Sequence, residues 1–184
     1  MILWTYFQKG GFMMYPILLT SVIVLAIIIY KWRQYARALQ SLARDYKELL
    51  NNPPPLIQPV LNAIRDNQTE KEIGIIGTKQ VRELEKGLYT ISMLAVISPL
   101  LGLTGTVFGM INVFQVVSAT GPHISTDLLA GGIWEALITT AAGLLVAIPA
   151  HVAHHLLEER LGIIAFNIKE FAIVSYTSEK ENGH

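Results

Sequence analysis

Charged side chains are nearly absent from three long stretches of this chain, and that pattern decides what it can fold into. Gly10 to Tyr30 is 21 residues without a charge, Gly87 to Thr126 is 40, and Leu128 to Leu157 is 30 with Glu135 as its one exception. A bilayer's hydrocarbon core takes about 20 helical residues, so the pattern predicts three membrane-spanning helices in an all-α protein. Polar residues thicken after Phe114, at Gln115, Ser118, Thr120, Gly121, Pro122 and His123, which splits the end of the middle stretch off as a loop. The predicted layout is an N-terminal segment 1–12, span one 13–31, a helical region 32–86, span two 87–117, a loop 118–127, span three 128–155, and a C-terminal helix and tail 156–184.

Lysine and arginine near span ends set the orientation. Lys31, Arg33, Arg37, Arg44 and Lys47 follow span one, against Lys9 alone before it; Arg82 and Lys86 precede span two, and Arg160 and Lys169 follow span three. The N-terminus and the 118–127 loop are therefore expected outside, and the C-terminus in the cytoplasm. Trp4, Tyr6 and Phe7 before span one, with Tyr30, Trp32 and Tyr35 after it, suit aromatic belts at the two interfaces. Span one is too long for a signal-peptide core and lacks a small-residue cleavage site, so it reads as an uncleaved anchor.

Between spans one and two, Asn51-Asn52 and the proline run 53–55 break the helix. Trp32 to Leu50 is expected to continue the first helix, and Pro59 to Arg65 to make a short one. Thr69-Glu70-Lys71-Glu72 has capping-box spacing, and Ile73, Ile76, Gln80, Val81, Leu84 and Leu88 recur at helical spacing. That predicts one rod from Glu70 to Val117, roughly 70 Å at ~1.5 Å per residue. Leu156, Leu161, Ile164, Ile168 and Ala172 carry an apolar stripe beyond span three, so the second and third helices are expected to extend as long rods into the cytoplasm. The polar tail after Tyr176 is expected to be disordered.

Several function classes are excluded early. Fourteen basic residues balance fourteen acidic ones, so no net field points to nucleic acid. Without cysteine there is no thiolate metal site, iron–sulfur ligation or cysteine nucleophile. No Ser–His or paired-Asp arrangement stands at membrane depth, so the chain is not read as an enzyme. A solute transporter would use repeated, broken helices, and three spans without a repeat argue against one. His151, His154 and His155 could ligate a metal or anchor the interface; with no cysteine and only Glu158 and Glu159 nearby, anchoring is the reading and no metal site is expected.

Small residues gather on one side of each later span: Ser98, Gly102, Gly105, Thr106 and Gly109 in the second, and Gly132, Ala136, Thr139, Thr140, Gly143, Ala147 and Ala150 in the third. Such faces let membrane helices approach closely, and with hydroxyls among them they could also wall a pore. Pro99 and Pro149 sit inside the spans as static kinks or as hinges. Glu135 is the one formal charge at membrane depth, and placing it ionised there costs on the order of 2.5–3.5 kcal/mol or more. No basic or other acidic residue of the spans can pair with it. It is carried neutral, matched by another chain or water, or reaches water at the outer interface, eight residues after Asp127. Thr139 at i+4 can share its face.

Residues 85–114, EKGLYTISMLAVISPLLGLTGTVFGMINVF, and residues 130–150, AGGIWEALITTAAGLLVAIPA, resemble the two pore-helix signatures of the ExbB/TolQ/MotA proton-channel family, in its ExbB/TolQ branch. The resemblance implies a homopentamer in a bacterial inner membrane, N-terminus in the periplasm, around the single spans of two ExbD/TolR-like subunits. It implies a proton-driven stator acting on a TonB- or TolA-like transducer, with no cofactor beyond the conducted proton. Carried over, the pore glutamate is Glu135, the pathway hydroxyls are Thr106 and Thr140 with Thr139 beside them, and the packing or hinge positions are Pro99, Gly102, Gly105, Gly109, Gly143 and Pro149. The partner helix would supply the aspartate that Glu135 lacks. Thr140 lies about 140° around an ideal helix from Glu135 and Thr139 about 40°, so the three cannot share one narrow stripe. The insert between spans one and two is shorter than in typical members. The rival reading is a passive oligomeric scaffold that does not conduct.

Overall fold

The computed structural model describes residue 7, residues 10–120 and residues 126–182. Trp4, Tyr6, Lys9, and residues 121–125 of the predicted 118–127 loop, His123 among them, lie outside the described residues, as do the first residues of the N-terminal segment. The described elements are all helices: α1 Met14–Leu42, α2 Tyr46–Asn51, α3 Gln58–Arg65, α4 Glu70–Glu85, α5 Leu88–Thr120 and α6 Thr126–Asn182. Three helical stretches, Met14–Leu42, Glu70–Ala119 and Ala130–Lys180, are long and apolar enough to cross a membrane, in line with the three expected from the charge-free stretches.

The contacts divide the chain into two compact units, one built from residues 1–28 and 90–154, the other from 29–89 and 155–184. In the first unit, helix joins helix through small side chains. Ala95, Ser98, Ala136, Thr139, Ala147 and Ala150 are all buried, while Leu100, Leu103, Val107, Leu137, Leu145 and Ile148 are exposed. A water-soluble bundle would invert that pattern. Large apolar side chains turned outward suit lipid, and small ones turned inward allow close packing.

The second unit has an ordinary hydrophobic interior of Tyr35, Ile57, Val60, Leu157, Ile164, Ile168 and Phe171. Of the predicted stripe on the last helix, Leu161, Ile164 and Ile168 are buried, but Leu156 is 44% exposed and its neighbour Leu157 is fully buried in its place. Tyr35, expected in an interfacial belt, is likewise fully buried. Its hydroxyl donates to the Leu84 carbonyl (2.7 Å), and Lys31 Nζ donates to the same oxygen (2.9 Å) and to Gln34 Oε1 (2.9 Å). Arg160 stacks on the Trp32 ring at 3.7 Å, and the rings of Tyr46 and Phe171 meet at 5.8 Å.

The capping box at the start of α4 forms as its spacing predicts. Thr69 N–H donates to Glu72 Oε2 (2.9 Å), and Glu72 N–H donates to Thr69 Oγ1 (3.4 Å). The bonds from Thr69 hold the Glu72 carboxyl below the usual carboxylate range.

Three expectations about continuity are corrected. Helix α1 does not reach Leu50: it ends at Leu42, and α2 restarts after Asp45, whose extended backbone (φ −59°, ψ 145°) lets Leu49 turn inward and be buried. The predicted rod from Glu70 is interrupted at Lys86-Gly87, where Gly87 has φ +96°. A helix end leaves its last carbonyls without intrahelical donors, and Lys31 and Tyr35 satisfy that of Leu84, which stabilises the break. The tail is helical through Asn182. Thr177 Oγ1 bonds back to Ile173 O (3.0 Å), Lys180 lies 5.2 Å over the Tyr176 ring, and a lysine in the last turn suits the negative end of the helix.

Candidate functional site

The small-residue faces of α5 and α6 meet in an antiparallel zipper inside the first unit. A side chain added at Gly143 would lie 2.5 Å from the Ser98 carbonyl oxygen and 3.3 Å from Gly102 Cα. One added at Gly102 would lie 2.8 Å from Thr139 O, one at Gly105 2.7 Å from Thr139 Cβ, and one at Gly109 3.1 Å from Ala136 Cβ. One at Gly132 would strike Val113. The partners rise through 98, 102, 105, 109 and 113 on α5 as they fall through 143, 139, 136 and 132 on α6. Steps of three and four residues are those that keep one helical face in contact, so the glycine spacing visible in the sequence is the spacing of this interface.

The hydroxyls of the zipper are engaged. Thr139 is 1% exposed, and its Oγ1 donates to Ala136 O at 2.8 Å, with Glu135 O at 3.4 Å. Thr140 Oγ1 crosses between helices to Gly102 O (3.1 Å). Ser98 is fully buried, and its Oγ donates to Leu94 O (2.7 Å). Thr106 is half-buried and bonds along its own helix to Leu103 O (2.6 Å). The structure therefore brings Thr139 and Thr140 together with Gly102 and Gly105, and leaves Thr106 on α5 outside that set of contacts. Pro99 and Pro149 lie within α5 and α6, and both helices continue through them.

Glu135 is half-buried, one turn before Thr139 on α6. Its side chain leaves the zipper and reaches the turn before α1, where a Cβ on Gly11 would overlap Glu135 Oε1 and lie 3.0 Å from Cδ. The geometry agrees with the helical-wheel expectation that Glu135 and Thr140 face different ways. Gly10 and Gly11 carry no functional signature in the sequence beyond a Gly-Gly pair directly ahead of an apolar run, an ordinary turn mark.

On one turn of α6, half-buried His154 and exposed His155 and Glu158 each bring a possible ligand atom within 4.8 Å of the others. His155 Nδ1 is 3.7 Å from Glu158 Oε2. These residues could approach a cation, but exposed imidazoles and carboxylates one turn apart on a helix do so commonly, and they carry no metal assignment here.

Comparison with known proteins bears on the same residues. The sequence model of the MotA/TolQ/ExbB proton channel family matches residues 46–170, more than half of the chain and all of the zipper. The chain is 37% identical over 123 residues to the biopolymer transport protein exbB1 of Vibrio cholerae, covering 64% of this chain and 54% of that protein. It is 34% identical over 96 residues to the Tol-Pal system protein TolQ of Haemophilus influenzae, covering 52% and 42%. It is 41% identical over 73 residues to the biopolymer transport protein ExbB of Xanthomonas campestris, covering 40% and 28%. The chain thus spans about half or less of the length of these relatives.

Proposed function

The chain belongs to the MotA/TolQ/ExbB proton channel family, and from that premise we propose that it is the stator subunit of an ExbB/TolQ-type motor in a bacterial inner membrane. In this reading five copies surround two single-span ExbD/TolR-like subunits, and proton flow is coupled to work on a TonB- or TolA-like transducer. The relatives' names, biopolymer transport and Tol-Pal, support the class of work. The N-terminus and the 118–127 loop are periplasmic and the C-terminus cytoplasmic, as the lysine and arginine distribution indicates.

One observation carries the reading. In the span-forming part of α6, between zipper residues that are almost all small and apolar, stands a single carboxylate, Glu135, and its side chain is not used in the zipper. A lone carboxylate in a membrane-spanning helix is costly unless it reaches water or serves a proton or ion path, and Glu135 meets the turn at the end of the periplasmic N-terminal segment, where a proton can enter. Glu135 takes up and releases the proton, exchanging it with an aspartate of the partner helix. Thr106 and Thr140 offer hydroxyls along the path, and Thr139 steadies the turn that carries Glu135. Close packing at Gly102, Gly105, Gly109 and Gly143 keeps the wall thin and rigid, with Pro99 and Pro149 as the points where it can bend.

A passive scaffold is the second reading, favoured by the zipper itself, since Thr139 and the glycines are explained by packing alone. The two separate on Glu135→Gln. Reconstituted with its single-span partner, the wild-type complex should carry a partner-dependent proton flux and the Glu135→Gln complex should fall to background. Full flux in Glu135→Gln would overturn the proton-path reading and leave the scaffold. Native mass measurement of the complex should give five copies of this chain to two of the partner, and a lysine placed in the 118–127 loop should label only from the periplasmic side.

A further inference from the structure

The turn that leads into the first span is built of two glycines that no side chain could replace without striking the third span or the turn's own helix. Gly11 has φ +63°, a region that L side chains rarely adopt. It is also where an added Cβ would overlap Glu135 Oε1, 3.0 Å from Cδ and 3.7 Å from Cγ. Gly10 is buried, and a Cβ there would run into the Met14 side chain and lie 2.9 Å from Ile138 Cγ2. Ile138 stands three residues after Glu135, on the same side of α6. The two glycines thus meet one face of α6 at successive points. The turn is tied to the start of α1 by Met14 N–H donating to Gly11 O (3.3 Å), and to the preceding chain by Gly10 N–H donating to Phe7 O (3.3 Å).

We propose that the Gly10-Gly11 turn is a cradle for the Glu135 carboxylate, with Gly11 a positioning residue that sets where that carboxylate points and how far it is open to reagents. The inference rests on the reading of Glu135 as the proton-carrying group. Glycine is needed for two separable reasons: the backbone conformation, and the missing Cβ that lets the peptide lie directly against a carboxylate oxygen. A Cβ at this position turns the carboxylate away from the place it takes in the wild-type protein, toward the surface.

The test uses the full chain with its single-span partner in proteoliposomes. The rate at which a hydrophobic carbodiimide modifies residue 135 is read by peptide mapping, alongside proton flux. Gly11→Ala should raise the rate of modification several-fold and lower the flux by up to about a hundredfold, the scale on which a reacting group displaced by about 1 Å loses activity. Gly11→Asn adds the same Cβ but tolerates the left-handed conformation, so it should fold where Gly11→Ala is strained and should show the same rise. In a Glu135→Asp background, whose shorter side chain vacates the contact, adding Gly11→Ala should change the modification rate of residue 135 far less. Gly131→Ala, which meets nothing within 4 Å, should match wild type.

Wild-type modification rates in both Gly11 variants would overturn the cradle. A change in Gly11→Ala that is absent from Gly11→Asn would overturn it too, since backbone strain alone would then be the cause. Full flux in Glu135→Gln would defeat the proton-path reading, while the modification rates would still decide whether Gly11 positions the carboxylate.

Discussion

The two units of this protein solve the same problem, holding long helices side by side, with opposite materials. In the 1–28 and 90–154 unit the contact between α5 and α6 is made mostly by glycine, alanine, serine and threonine, and many large apolar side chains face outward, with Ile17, Val24, Ile91 and Val113 buried among the small ones. In the 29–89 and 155–184 unit the contact is made by Tyr35, Leu157, Ile164, Ile168 and Phe171, with Lys31 and Tyr35 bonded to a backbone carbonyl inside. Lipid chains are as apolar as leucine, so burying leucine between spans gains little there and close backbone approach must supply the attraction. In water the burial of large apolar area is itself the driving force. The difference teaches that one helix, α6, is packed by small side chains in one unit and by large apolar ones in the other.

The largest effect should come from truncating the interior of the 29–89 and 155–184 unit. Ile164→Ala, at a fully buried site, should destabilise that unit by about 2–5 kcal/mol, measured by denaturant unfolding in detergent with a probe at Trp32. In the zipper the sensitivity runs the other way, toward enlargement. Gly143→Ala sets a Cβ 2.5 Å from the Ser98 carbonyl, which is backbone and cannot easily yield, and should cost about 1–3 kcal/mol, read as lowered thermal stability of the purified protein.

Smaller effects sharpen the contrast. Tyr35→Phe removes one of the two donors to Leu84 O and should cost about 0.5–1.5 kcal/mol, with faster amide exchange at residues 86–89. The same Gly-to-Ala change that harms the zipper should stabilise the other unit. Gly74 has nothing within 4 Å of an added Cβ, and Gly77 only Ile168 Cγ2 at 3.7 Å. Each should gain about 0.5–1 kcal/mol from helix propensity, seen as a small rise in melting temperature. A loss there would mean that a second copy or a partner closes over α4.

What the sequence made legible follows from strong, local physics. Charge exclusion from lipid marked the three spans, Thr69 and Glu72 marked a helix start, and glycines at steps of three and four marked the face that became the zipper. What it hid depends on distant partners. The break at Lys86-Gly87 is held by Lys31 and Tyr35, more than fifty positions away in sequence, so an apolar stripe running through Leu84 and Leu88 read as unbroken. Tyr35 looked like an interfacial aromatic because composition cannot tell a buried ring from a lipid-facing one. The contact between Gly11 and Glu135 joins a turn and a helix separated by 124 positions, and only the fold brings them together.

The two-residue turn at Lys86-Gly87 has a consequence for insertions and deletions. In an unbroken helix each residue added upstream would rotate everything after it by about 100°, and the face bearing Gly102, Gly105 and Gly109 would swing out of its pairing. A left-handed glycine between α4 and α5 uncouples their rotational phase. A residue added or lost within α4 is therefore not carried into the α5 face through a continuous helical ladder.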